Sequence, residues 1–76
     1  MKVRKKDGKL EDFNKNKVIK GCKKAGASSK LANEVVTVVS NEVYDGMPTT
    51  EIRAIVLREL ERKDKKSAIE FRKFKR

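Results

Sequence analysis

The sequence predicts an α+β protein, mainly α: a small four-helix bundle capped by an N-terminal β-hairpin, in a single domain over residues 1–76. Three observations carry this. Asp7-Gly8 is a favoured turn pair early in the chain. Apolar residues then recur at helical spacing in four successive segments. Residues suited to helix N-caps (Asn14, Ser28 or Ser29, Thr49 or Thr50) stand ahead of three of them.

The hairpin is read from its turn. A two-residue type I′ connection needs positive φ at both central positions, which suits Asp-Gly. The flanks, residues 2–6 and 9–13, hold Val3, Leu10 and Phe13 as their main apolar residues. Side chains alternate along a strand, so Lys5 would share the face of Val3, with Arg4 and Lys6 opposite.

Asn14 caps a first helix over about residues 14–25. Phe13 one position before it and Val18 four after have the spacing of a hydrophobic staple. Val18, Ile19, Cys22 and Ala25 form the buried stripe, and Gly26 is the stop. A second helix runs from Ser28 or Ser29 to about Tyr44. Its "EVVTVV" favours a strand by propensity, but Leu31, Val35, Val38 and Val39 keep helical spacing over a stretch too long for a strand. "DGMP" follows as a turn. Ile52, Ile55, Val56 and Leu60 mark the third helix, entered through Thr49 or Thr50. The lysine-rich stretch 63–66 breaks the pattern as a solvated turn, and a fourth helix runs from about Ser67 to Phe74, with Ala68, Phe71 and Phe74 on one side.

Composition narrows the function classes. With 76 residues, one cysteine and no histidine, the chain has no disulfide framework, CxxC metal pair or His-based chemistry. No P-loop GxxxxGK[ST] is present, and no base is positioned for phosphoryl transfer, so the chain reads as a non-enzyme. No apolar run reaches the roughly 18 to 20 residues of a membrane span, and a reducing, cytoplasmic setting fits. The net charge of +10 is uneven: residues 1–30 carry +8, residues 31–61 carry −4 and residues 62–76 carry +6. If the two basic ends meet, they form one surface for an anionic partner, whether nucleotide, nucleic acid or acidic protein.

Taken in order, "VRKKDG", "LEDFNKNKVIKGCKKAG", "TTEIRAIVLREL" and "SAIEFRKFKR" resemble the ATP-cone domain over essentially the whole chain. This is the nucleotide-binding regulatory module of many ribonucleotide reductase large subunits and of a repressor of reductase genes. The resemblance implies a helical bundle under a short sheet that contains the hairpin. It also implies allosteric ATP or dATP binding, with Mg²⁺ on the phosphates and no hydrolysis. Carried over by position, Val3, Phe13 and Val18 would line the adenine pocket, and Glu11 and Asn14 would hydrogen-bond the base. Lys17 would reach the ribose or a phosphate. Lys5, Lys6, Thr49 and Arg53 would face the triphosphate, and Lys75 would close the site. Lys6 stands where the family commonly has Arg, which keeps the charge and loses the bidentate fork.

Physical chemistry supports several of these roles. Clustered cations repel one another without an anionic partner. The start of the Thr49 helix offers free N–H groups to a phosphate. Local readings stand beside them: Asn14 and Thr49 as plain N-caps, Glu11 as a counter-charge for the hairpin lysines, Phe71 and Phe74 as core, and Cys22 as a small core residue. In the family the signal is a change in how protomers associate. Neither a catalytic domain nor a zinc ribbon accompanies the cone here, so the regulated partner would be a separate protein or a further part of a longer chain. The competing expectations are a small basic nucleic-acid-binding protein and a degenerate cone that serves only association.

Overall fold

In the computed structural model, which describes residues 1–73, β1 (Lys2–Arg4), β2 (Leu10–Asp12), α1 (Lys15–Lys24), α2 (Ser29–Glu42), β3 (Met47–Pro48), α3 (Thr49–Lys63) and α4 (Lys65–Arg72) follow in order. The fold is α+β and mainly α, as expected. The hairpin is two-thirds of a three-stranded sheet of order β2-β1-β3, with β1 antiparallel to β2 and parallel to β3. The parallel strand corrects the reading of "DGMP" as a turn alone. Met47 pairs with Val3 and Pro48 with Arg4, a partnership between residues more than forty positions apart. Nothing local in a two-residue strand announces it.

The hairpin turn lies where Asp7-Gly8 put it but is of another type. Gly8 N–H donates to the Lys5 carbonyl (2.9 Å), so Lys6 and Asp7 are the central residues. Only glycines have positive φ among the described residues, Gly8 at +88°. The Asp7 carboxylate accepts the Lys9 N–H at 3.0 Å across the turn, and the left-handed conformation falls to Gly8 alone within it. The strand therefore ends at Arg4, and Lys5 belongs to the turn.

The helices follow from their caps and stripes. The Asn14 side chain accepts from Asn16 N–H (2.9 Å) and Ser28 Oγ from Leu31 N–H (3.1 Å). Gly26, at φ +93°, ends α1. The valine run is helical because burial outweighs propensity: Val35 and Val39 are fully buried in α2. Pro48, not a threonine, holds the cap position of α3 and makes no side-chain cap bond, so Thr49 is already the first helical residue. This corrects the capping role expected of Thr49 or Thr50. The lysine-rich stretch is not a turn either. Asp64 alone joins α3 to α4, accepting from Lys66 N–H, Ser67 N–H and Ser67 Oγ. Lys63 ends α3 and pairs with Glu34 of α2 at 3.1 Å.

One core cluster runs from Val3 and Met47 under the sheet through Cys22, Ala32, Val35 and Val39 to Ile52, Leu60, Ala68 and Phe71. Cys22 is fully buried, and burial pushes its thiol up to about 11. Phe71 is core, as expected; Phe74 and Lys75 lie outside the described residues. No helix among the described residues is long and apolar enough to cross a membrane.

Candidate functional site: a small cavity opening on a cationic groove

Two concavities adjoin on one side of the bundle. The smaller, about 110 Å³, lies under the hairpin and is lined by Val3, Glu11, Asp12, Phe13, Asn14, Lys17, Val18, Thr49 and Ile52. The larger, about 480 Å³, runs between α1, α3 and α4; its lining is Lys17, Val18, Gly21, Lys24, Ile52, Arg53, Val56, Phe71 and Lys73. Lys17, Val18 and Ile52 belong to both. The small cavity lies at the N-terminal ends of α1 (Asn14) and α3 (Thr49), and both helices lead from it along the groove.

Strand register builds the small cavity. Val3 and Glu11 are direct cross-strand partners, so their side chains share the inner face, Val3 buried and Glu11 half-buried. Lys2 and Asp12, partners on the outer face, pair at 2.7 Å, which raises the Lys2 pKa and lowers that of Asp12 through the mutual hydrogen bond and charge. Glu11 thus supplies a half-buried carboxylate to the cavity, with Lys17 Nζ 3.4 Å away, and the exposed Asp12 also lines it. Asn14 commits its oxygen to the helix cap, which leaves the amide N–H groups as donors.

The groove is electrically different. Among the described residues its lining holds four cations, Lys17, Lys24, Arg53 and Lys73, and no acid. The Arg53 guanidinium lies 4.6 Å over the Phe71 ring and donates to the Phe71 carbonyl at 3.2 Å. The two basic ends of the sequence do meet, α1 contributing Lys17 and Lys24, and the end of α4 Lys73.

Of the residues singled out from the sequence, Val3, Glu11, Phe13, Asn14, Lys17, Val18 and Thr49 line the small cavity, and Arg53 lines the groove beside Lys17 and Val18. Lys5 and Lys6, exposed at the hairpin tip, line neither. Gly21, Lys24, Ile52, Val56, Phe71 and Lys73 were not anticipated as lining. Lys17, Gly21 and Lys24, at i, i+4 and i+7, form one helix stripe, and that spacing was a signal available in the sequence.

A small cavity with carboxylate and amide groups opens on a larger groove whose described charged lining is cationic, and this defines the class: a small α+β domain with a charge-divided pair of concavities. The chain belongs to the ATP cone domain family, whose model matches residues 1–76. That family consists of nucleotide-binding regulatory domains. The chain is 34% identical over 77 residues to the transcriptional repressor NrdR of Caldicellulosiruptor bescii, covering 91% of this chain and 50% of that protein. Identity to NrdR of Caldicellulosiruptor saccharolyticus is 33% over the same length, with the same coverage. An uncharacterized protein of Archaeoglobus fulgidus is 49% identical over 35 residues, 46% of this chain and 74% of that protein. The chain spans about half the length of the two repressors it matches.

Proposed function

We propose that this domain binds ATP or dATP without hydrolysing it, the base against the small cavity and the phosphates over the groove. The observation that carries the reading is the charge division between two concavities joined at Lys17, Val18 and Ile52. A purely acceptor carboxylate at Glu11 suits the exocyclic amine of adenine and opposes the O6 acceptor of guanine. The Asn14 amide donates to a ring nitrogen, and Val3, Phe13 and Val18 supply apolar contact. Lys17 and Arg53 receive the first phosphates. Lys5 and Lys6 approach the triphosphate from the hairpin tip and Thr49 faces it with Arg53, while the closing role proposed for Lys75 falls outside the described residues.

Among the described residues no group of three or more His, Cys, Asp or Glu side chains is placed to hold a metal ion. Mg²⁺ fits this chain only as a companion of the polyphosphate, coordinated by phosphate oxygens and water. Exchange of ATP for dATP changes how the domain associates with itself or with a partner protein, and this change is its regulatory output.

The test is an amide-resolved titration with ATP, dATP, GTP and a short DNA duplex at two salt concentrations. Adenine nucleotides are expected to shift Phe13, Gly21 and Ile52 well before GTP does. Absence of any shift at millimolar ATP refutes the reading. Steeply salt-dependent duplex binding with no nucleotide response would make the basic surface a nucleic-acid site instead.

A further inference from the structure

We infer that Lys24 and Lys73 form a terminal-phosphate subsite that makes the domain count phosphates, favouring a triphosphate over di- and monophosphates. The inference rests on the nucleotide reading above and extends it to residues that reading does not use.

Helix geometry sets the argument. Lys17, at the junction of cavity and groove, and Lys24, farther along the groove, stand seven residues apart on α1. That is about two turns, or roughly 10 Å of helix axis. Gly21 lies between them on the same stripe. A Cβ built there would stand 3.6 Å from Phe71 Cε1, so the missing side chain keeps the floor between the two lysines open. Arg53 occupies the middle, its guanidinium held by the Phe71 ring and carbonyl. Lys73 completes the far end from the close of α4.

A nucleotide anchored by its base at the cavity presents its first phosphate to Lys17 and Arg53. Only a longer phosphate chain carries charge on towards Lys24 and Lys73. Lys24 has no ion-pair partner among the described residues, whereas Lys73 Nζ is 3.2 Å from Glu70 Oε2. Glu70 does not line the groove, so it competes with a phosphate for Lys73 without touching the ligand. That arrangement gives the subsite a built-in opponent and an experiment of opposite sign.

Calorimetric titration with ATP, ADP and AMP at fixed ionic strength tests the inference in wild type, Lys24→Ala, Lys73→Ala and Glu70→Gln. Lys30→Ala, at an exposed position outside the groove, controls for net charge. Lys24→Ala and Lys73→Ala should each weaken ATP by about three- to tenfold, the scale of one partly exposed charge-assisted hydrogen bond. AMP should change by less than about twofold, and the conservative Lys24→Arg should keep the ATP preference. Glu70→Gln should tighten ATP and leave AMP unchanged. Equal losses for the three nucleotides, or none, overturn the subsite while leaving the nucleotide reading intact. A wild-type protein that binds none of the three refutes both. All these side chains are exposed, and a thermal melt of each variant verifies that the fold is retained.

Discussion

The Arg53 guanidinium lies over the Phe71 ring, 4.6 Å from its centroid, and donates to the Phe71 backbone carbonyl, tying α3 to the last turn of α4. The same guanidinium faces the cationic groove. One side chain therefore couples the seating of the terminal helix to the site proposed for phosphate.

Arg53→Ala removes both contacts and should lower stability by about 1–2 kcal/mol, combining a cation–π term with one charged hydrogen bond. Arg53→Lys keeps the charge and loses the planar stack. It should recover little of that stability yet retain part of the nucleotide affinity. Urea denaturation and nucleotide titration of the same variants separate the two effects.

Asp64 is the hinge pin between α3 and α4, serving as the C-terminal cap of one and the N-cap of the other. Its hydrogen bonds from the Ser67 hydroxyl and from the Ser67 and Lys66 N–H groups hold its carboxyl below the usual Asp range. A lowered folded pKa contributes stability that is complete above the unfolded value near ~3.9 and fades as pH falls through the folded one. Thermal melts should show Asp64→Ala less stable than wild type at pH 7, with the difference shrinking below about pH 4. Asp64→Asn, an equally good cap, should stay close to wild type at pH 7.

What the sequence disclosed and what it hid divide along the range of the interactions. Asn14, Ser28 and Gly26 act within one turn of their own positions, and their roles were legible. Asp64 also acts locally, on Ser67 three residues later, but its cap spacing is set within a run of lysines whose pattern is equally that of a solvated turn. Met47 and Pro48 join the sheet only through β1, and the pairing depends on the whole bundle bringing them there. Most of the small cavity's lining comes from residues 3–18, and those positions were named through the resemblance to the ATP-cone domain, since no local spacing marks them as a cavity. The far end of the groove was not legible: Lys24 and Lys73 meet only because α1 packs against α4.

Glu59 is 2% exposed and receives Arg58 Nε at 3.3 Å and an Arg62 N–H at 3.4 Å, both partners being exposed. Burying a carboxylate against its own helix's arginines stabilises little, because its desolvation offsets the attraction. Glu59→Leu frees two arginines that water can solvate, and Arg58 keeps its 2.7 Å pair with Glu42. Its stability should lie within about 1 kcal/mol of wild type or above it. Glu59→Ala leaves space in the packed interior and should cost about 2 kcal/mol. If urea denaturation shows Glu59→Leu to be the worse of the two, the ion pairs stabilise more than this accounting allows.

Asn14 offers the sharpest separation of scaffold from site, because its two ends do different work. The side-chain oxygen caps α1 through Asn16 N–H at 2.9 Å, and the residue also lines the small cavity. Asn14→Asp preserves an oxygen at the cap and adds a negative charge at a helix N-terminus, which the dipole favours. The amide donors are lost, and a further carboxylate joins Glu11 and Asp12 at the cavity. Its melting temperature should match or exceed that of wild type, while ATP and dATP affinity should fall at least about tenfold, the scale of one lost hydrogen bond to a buried base. Asn14→Ala should lose both, with about 1 kcal/mol of stability gone with the cap. An Asn14→Asp protein that binds adenine nucleotides as tightly as wild type would make Asn14 a cap alone and move the base away from the hairpin cavity.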